Sequence, residues 1–495
     1  MKNLWNFYVK YSEFIISSLF LLLCLFYVPF FGEVYNRPGS DPDVLFVLNS
    51  ILILEGEIPC NVDQPGTTMQ IFGAVLYKLI YSIRYLLFDD IASLSEDIIQ
   101  YDTIYATIQR LIIITFIAVA QFFFLREIKL HLSKNLSSIS SAVVLFLSPW
   151  AYSVCSISGH SFAVLASILF MMLVTKSYLS KKTLSIKEFI FLAAIAGFGL
   201  ASKFIFVLII PSLLLMPSLN LKAFVRFWSL TTIFLILFTL PIRSRYSESI
   251  DFILQVLKGN GAYGTSEAEF DLEYLWNNLI SILVGVKRQL LIVLLGFSAM
   301  IHNVIFKYDN KNEHLSKSLK IYLLILVVAS PIVAKHAPRS DYFIVIYPLL
   351  VLSSAYVVFT FKRYLNHDSS KILIIGFLVL YFFLFIKSSI ESYKNSQEFN
   401  NRVKNNYIRG AGFYDKYSTY YTTNHAYSCS YFTHDLQSLY PSAEFFSGDS
   451  VYVVDWGNDP LRKITRTDTV IRTNWEKFDL EVFTIATKVK NVPQP

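Results

Sequence analysis

Apolar runs about as long as a bilayer is thick recur along this chain, with short basic loops between them, and that alternation leaves few folds open. Phe14–Phe31 and Ile104–Leu125 each match the roughly 20 residues a helix needs to cross a hydrocarbon core. Ile372–Ile386 is somewhat shorter but equally apolar. In lipid, backbone N–H and C=O groups must be satisfied within the segment, so such runs become helices. Charged residues make up 16% of the chain and hydrophobic ones 54%, whereas a soluble domain carries about a quarter charged. The expected fold is an all-α polytopic membrane protein. Its formal charge of +7 does not point to nucleic acid, because the basic residues gather in loops between the apolar runs.

Loop charge then assigns sides. The loops Arg126–Lys134, Lys181–Lys187, Lys222–Arg226, Lys307–Lys320 and Lys362–Lys371 are short and basic, which reads as cytoplasmic. Glu33–Asp63, Asp89–Asp102 and Glu248–Glu273 are acidic or mixed and read as outside. The spans between them are Phe14–Phe31, Ile104–Leu125, Ile139–Trp150, His160–Tyr178, Phe189–Leu200, Phe204–Leu215, Phe227–Leu240, Leu279–Phe306, Ile321–Ala334, Tyr342–Phe361 and Ile372–Ile386. These give about 11 crossings plus juxtamembrane helices, with the N-terminus cytoplasmic and the C-terminal region outside. Met69–Phe88 is apolar yet flanked by acidic segments, and reads as re-entrant or as lying at the outer interface. No small-x-small cleavage site follows the first run, so it reads as a retained span.

The sequence divides into a membrane module, residues 1–390, with an outer loop at 32–68, and a small extramembrane α/β domain at 391–495. In the latter, Val451–Asp455 and Val482–Thr487 have strand character. Tyr414–Tyr440 is tyrosine-rich, suited either to stacking on sugars or to packing against the membrane module. Cys24, Cys60, Cys155 and Cys429 show no metal-ligand spacing. Cys60 and Cys429 share the outer compartment, which leaves a disulfide open to them, but no spacing rule supports one and free thiols are expected.

The outer loop holds Arg37-Pro38-Gly39-Ser40-Asp41-Pro42-Asp43, then apolar Val44–Leu54, then Asp63-Gln64-Pro65-Gly66. Proline is favoured at the first helical position and aspartate at the N-cap. Capping therefore explains Asp41, while Asp43, in the first turn, is not needed as a cap. The helix dipole keeps it ionised, as a general base or metal-binding carboxylate requires if it is exposed to a cleft. Val44–Leu54 is apolar nearly all round, which suits an interfacial helix. Asp63–Thr68 is a turn and a helix start.

Further candidates share the outer side. His160 closes Ser156-Ile157-Ser158-Gly159-His160 at a span end, where a packing role competes with a functional one. The loop Lys335–Tyr342 carries Lys335, His336 and Arg339 against the charge trend. Cations there can pair with a lipid phosphate or, structurally, with an outer carboxylate. Lys203 lies within membrane depth, where an ionisable residue is a functional candidate and snorkelling the alternative. Lys258–Gly264 is glycine-rich and includes Tyr263; glycine lets backbone approach a ligand, and flexible loops use it too. No P-loop, His-x-x-x-His pair or Gly-x-Ser-x-Gly is present.

In order along the chain, the acidic pair after the first span, Gly56-Glu57-Ile58-Pro59, the Pro65-Gly66 helix start, Ser148-Pro149, Ser158-Gly159-His160, Lys203, the Gly259–Gly264 loop and Arg339–Pro348 resemble the membrane glycosyltransferases of the C-type fold. The nearest branch is that of protein-mannosyltransferases and aminoarabinose transferases, with its bacterial polyisoprenyl-phosphate-sugar-dependent members. The resemblance implies inverting transfer of a sugar from a polyprenyl-phosphate donor to a glycan, lipid or protein acceptor on the outer face of a bacterial inner membrane. It implies Asp43 or Asp41 as base, and His160, Lys203, His336, Arg339, Tyr342, Gln64 and Tyr263 as substrate contacts. No cofactor is implied, and a divalent cation is compatible with the site. Many members carry Asp-Glu where this chain has Asp41-Pro42-Asp43, and a cation where it has Gln64, which moves the lipid-phosphate contact to Lys203 or Arg339. A polysaccharide ligase or polymerase would need a large late outer loop bearing its arginines and histidine. A lipid-linked-sugar flippase would show paired interrupted helices in an internal repeat. Neither feature is found in the sequence.

Overall fold

The computed structural model describes residues 2–31, 43–59, 66–88, 91–142, 151–217, 219–258, 272–305, 315–336, 340–361, 450–455, 469–475 and 480–486, with single positions 383, 387, 390 and 394. The chain divides into two compact units. The first comprises Met1–Phe30, Val62–Met69 and Thr107–Tyr393; the second comprises Phe31–Asn61, Gln70–Ala106 and Lys394–Pro495.

Six helices among the described residues are long and apolar enough to cross a membrane: Trp5–Tyr27, Asp102–His131, Gly159–Ser180, Leu221–Phe238, Ser316–Lys335 and Ser340–Thr360. A bent pair makes a seventh if it counts as one span. The chain is thus predominantly α-helical with the character of a polytopic membrane protein. In chain order the helices are α1 (Lys2–Tyr27), α2 (Asp43–Glu55), α3 (Thr67–Leu87), α4 (Leu94–Gln100), α5 (Asp102–His131), α6 (Lys134–Ala142), α7 (Ala151–Cys155), α8 (Gly159–Ser180) and α9 (Ile186–Ser202). They continue with α10 (Leu221–Phe238), α11 (Tyr246–Lys258), α12 (Leu272–Gly285), α13 (Lys287–Ile305), α14 (Ser316–His336) and α15 (Tyr347–Phe361).

In the first unit, α8 and the span Ser340–Thr360 form the centre: 78% and 89% of their apolar windows are buried, against 11% for α10. Much of what α10 leaves outside is apolar, including Leu221, Val225, Ile233 and Leu237, as expected of a lipid-facing helix. α9 packs between α8 and α10, and α15 packs against α6, α8, α13 and α14. The turn from α8 to α9 is locally encoded. Lys181 closes α8 in the left-handed region (φ 56°), and Ser185 with Glu188 forms a reciprocal capping box that opens α9.

Two spans read from hydropathy take other forms. Leu279–Phe306, expected as one crossing, is two helices, with Glu273–Gly285 and Gln289–Ser298 bent by 85°. A hydropathy window averages across such a break and registers only its apolarity. Phe204–Leu215, expected as an α-helical span, is a 3₁₀ segment with Pro211 inside it. Proline has no N–H to give an α-helical ladder, and 3₁₀ geometry stretches a short segment at about 2.0 Å per residue.

In the second unit, Arg84 of α3 donates two hydrogen bonds to Asp97 of α4, at 2.9 and 3.0 Å, and its guanidinium lies 4.1 Å from the Tyr101 ring centroid. The Tyr105 hydroxyl donates to the same carboxylate at 2.5 Å. Three strands, β1 (Ser450–Asp455), β2 (Thr469–Trp475) and β3 (Leu480–Ala486), form an antiparallel sheet in the order β1-β3-β2, with Val453 and Arg472 both opposite Phe483. The stretches with strand character, Val451–Asp455 and Val482–Thr487, fall on β1 and largely on β3.

Candidate functional site

The first unit brings four separate pieces of sequence to one place, beginning at Ser202, the last residue of α9. Its carbonyl accepts the backbone N–H of Gly66 at 3.1 Å, and its hydroxyl shares a hydrogen bond with Thr68 at 2.7 Å. Gly66 has φ +48°, a left-handed conformation that glycine adopts without steric cost. From the other side Gly159, the first residue of α8, approaches so closely that an added Cβ would overlap the Ser202 carbonyl oxygen and lie 3.5 Å from Lys203 Cβ. A glycine at each contact therefore lets α3, α8 and α9 meet end to end.

That meeting fixes the neighbours of Ser202 and Gly159. Lys203 leaves α9 with extended backbone (φ −165°), its N–H donating to the Gly199 carbonyl at 3.0 Å. The side chain is buried, with 4% of the residue exposed, beside His160 at 2%. Lys203 Nζ lies 3.1 Å from His160 Nδ1. An ammonium can only donate, so with the lysine charged, Nδ1 accepts and the ring hydrogen sits on Nε2. Nε2 faces Asp341 Oδ2 at 3.7 Å. The 3₁₀ segment Ser340–Ile346 supplies both Asp341 and Tyr342. The Tyr342 ring stacks on His160, centroids 5.7 Å apart, and lies 5.9 Å from the Lys203 ammonium, within cation–π range.

Hydroxyl groups frame the start of α8. Ser156 and Ser158 share a hydrogen bond at 2.8 Å, and Ser161 donates to the Ser156 carbonyl at 2.5 Å. All three are buried. Taking an ion out of water costs several kcal/mol. A charge on Lys203 would be offset here by an imidazole nitrogen, an aromatic face and, through the imidazole, a carboxylate. The arrangement holds a buried lysine, an aromatic wall and an imidazole in one small volume, groups that can serve an anionic or sugar-bearing ligand.

No family model, curated protein or solved structure matches this chain.

Of the candidates taken from the sequence, His160, Lys203 and Tyr342 converge. Asp43 belongs to the second unit, in the first turn of α2, and is 2% exposed. The surface-exposed carboxylate expected from the sequence is therefore a buried one. The α2 helix, expected at an interface, buries Asn49 and Ser50 as well, with Ser50 donating to the Phe46 carbonyl at 2.6 Å. His336 is the last residue of α14, and its side chain falls outside the described set. Asp41, Gln64, Tyr263 and Arg339 lie outside the described residues, as do Cys60 and Cys429. Cys24 and Cys155 are free and buried, the Cys155 thiol donating to the Cys24 carbonyl at 3.7 Å.

Two residues not singled out in the sequence stand out in the structure. Asp341 completes the Lys203–His160 line; its signal was the acid two residues after Arg339 in the Lys335–Tyr342 stretch. Arg110 is wholly buried within the α5 span, at 1% exposure. An arginine at such depth is a functional candidate in itself, and the surrounding isoleucines and leucines hide it from any averaged hydropathy.

Proposed function

We propose that the chain is an integral-membrane glycosyltransferase of the C-type fold, moving a sugar from a polyprenyl-phosphate donor to a glycan, lipid or protein acceptor. The observation that supports this most is the buried Lys203 held against His160, with Tyr342 over both and Asp341 beyond. The leaving group of such a transfer is a lipid phosphate, whose developing negative charge needs a fixed cation in a water-poor site. Lys203 supplies that cation, and Tyr342 offers a face on which a sugar ring can stack.

In this reading an Asp of the outer loop, Asp43 or Asp41, removes the proton from the acceptor hydroxyl. The oxygen attacks the anomeric carbon, the bond from that carbon to the phosphate oxygen breaks, and the electron pair leaves with the lipid phosphate. The configuration inverts. The finer topology belongs to the same proposal: about 11 crossings, a cytoplasmic N-terminus, an outer C-terminal α/β domain at 391–495 and residence in a bacterial inner membrane.

The test is a transfer assay with purified full-length protein in lipid nanodiscs and a donor labelled in its sugar. Formation of a labelled product with release of lipid phosphate, abolished by Lys203→Met and by Asp43→Asn or Asp41→Asn, is expected. Movement of intact donor across proteoliposomes, without cleavage of its sugar–phosphate bond, would replace the enzyme by a flippase.

A further inference from the structure

We infer that the end of α8 and the starts of α9 and α10 form a headgroup site for an anionic phospholipid, with exposed cations for its phosphate and an apolar strip of α10 for its acyl chains. The cations come from two places in the sequence. Lys181, Lys182 and Lys187 surround the α8–α9 turn, and Lys222 and Arg226 lie in the first turns of α10. α9 and α10 run side by side and parallel: the Phe189 and Phe227 rings lie 6.5 Å apart, and those of Phe198 and Phe238 5.5 Å apart. Both helices therefore begin at the same end, which is where α8 finishes. His160 and Ser202 are at the opposite ends of α8 and α9. The site is thus separate from the Lys203 cluster and independent of sugar transfer.

Carboxylates do not neutralise this cluster. Between Glu127 and Glu248 the sequence contains one acid, Glu188. Lys176 holds it at 2.7 Å, and the Ser185 N–H and hydroxyl donate to it as well. Glu127 is taken by His131, whose Nε2 lies 2.9 Å away. Among the described residues no carboxylate pairs with Lys181, Lys182, Lys187, Lys222 or Arg226. Their backbone is fixed all the same. Lys181 takes a left-handed conformation, the Ser177 hydroxyl donates to the Lys182 carbonyl at 2.7 Å, and Asn220 caps α10 by accepting the Ala223 N–H at 2.8 Å. A site held in this way loses little freedom when a ligand arrives.

What lies beside the charges identifies the occupant. Residues four apart share a helix face, so α10 presents a charged row, Lys222 and Arg226, next to an apolar row, Leu221 and Val225, which are 78% and 56% exposed. On α9 the exposed Ile186 and Phe191 flank Lys187 in the same way. Trp228 packs on Phe224 and Phe227, at 6.2 and 5.7 Å, and tryptophan is enriched where a membrane meets water. With 11% of its apolar window buried, α10 continues the strip along its length. A soluble anion would use the charges and leave the apolar row in water. An anionic phospholipid engages both, its phosphate with the cations and its chains with the strip. Each cation near a membrane surface favours an anionic lipid about 5-fold.

The experiment reads tryptophan fluorescence of the full chain in phosphatidylcholine bilayers containing a small fraction of dibrominated phosphatidylglycerol or dibrominated phosphatidylcholine. Bromine quenches an indole it touches, and subtracting the signal of Trp228→Phe isolates Trp228. The ratio of the two quenching curves gives the lipid preference at this site. A preference of about 5-fold or more for phosphatidylglycerol is expected in the wild type. It should fall to parity at high salt, where exposed charges are screened, an arm that uses the native chain and needs no variant. Parity is also expected for Lys222→Gln combined with Arg226→Gln. Lys317→Gln combined with Lys320→Gln removes as many exposed cations from the start of α14 and should keep the wild-type preference. Equal quenching by the two lipids in the wild type overturns the proposal. So does an equal loss in both double variants, which would reduce the effect to the overall charge of the protein. Displacement of the brominated lipid by soluble glycerol phosphate would show a free-anion site instead, and overturns it too.

Discussion

Lys203 Nζ and His160 Nδ1 lie 3.1 Å apart although 43 residues separate them in sequence. With the lysine charged, the contact places the ring hydrogen on Nε2, and it holds the amine at the end of α9. Replacing Lys203 by methionine keeps the stem in its buried position and removes only the charge. Transfer is expected to fall about 100-fold, the scale of losing one charge-stabilising donor, with little change in thermal midpoint. Lys203→Ala removes the packing too, so its midpoint should drop by several degrees more. Equal midpoints for the two variants, read by intrinsic fluorescence in detergent, would show that the stem contributes nothing.

The Gly159 contact makes a sharper structural prediction. A methyl there meets backbone, the Ser202 carbonyl, which cannot move without shifting the end of α9 and with it Lys203. Overpacking of this kind costs about 1–3 kcal/mol, so Gly159→Ala should be destabilised and lose the proposed sugar transfer together. Gly296 is the control. Its added methyl would meet Leu319 Cδ2 at 2.5 Å, the far end of a flexible side chain. The helix gains about 0.5–1 kcal/mol from replacing glycine. Gly296→Ala is expected within about 1 kcal/mol of wild type. The comparison is read from paired unfolding curves in SDS.

What the sequence made legible follows from what each local signal measures. Runs such as Ile104–Leu125 announce helices because lipid permits little else, and His160, Lys203 and Tyr342 stand out as polar groups at the ends of apolar segments. Their convergence is tertiary, created by Gly66 and Gly159 letting three helix ends meet at Ser202. No residue near His160 in sequence names Lys203 as its partner. The 85° bend between α12 and α13 escaped because both arms are apolar, and Arg110 escaped because its neighbours are. Asp43 was read as exposed because capping logic sees only its own helix and not what covers it.

In the second unit, Arg84 gives Asp97 a two-point contact while stacking on Tyr101, and Asp97 also accepts from Tyr105. Arg84→Lys keeps the charge but loses the planar fork and the stack. Asp97→Asn removes the carboxylate that serves both donors and leaves the guanidinium without its counter-charge, a change worth about 3–5 kcal/mol when buried. The expected order of thermal midpoints is wild type, then Arg84→Lys, then Asp97→Asn. The reverse order of the two variants would mean that stacking, rather than charge pairing, holds α3 to α4.

Glu188 gives the chain a stability change at acid pH. The Lys176 ammonium beside it, and the Ser185 backbone N–H and hydroxyl that donate to it, lower its pKa from the ordinary 4.5 to about 2. A carboxylate with a lowered folded pKa contributes stability above its unfolded value, and that stability is lost as pH falls towards the folded value. The window is therefore from about 4.5 down to about 2. The cap contributes about 1 kcal/mol and the solvent-screened ion pair at most about 1. The wild-type thermal midpoint should fall between pH 5 and pH 3 more steeply than that of Glu188→Gln, which has no charge to lose. Lys176→Met should show an intermediate slope, since it keeps the capping box and loses the ion pair. Parallel slopes for wild type and Glu188→Gln would place the acid sensitivity of the chain elsewhere.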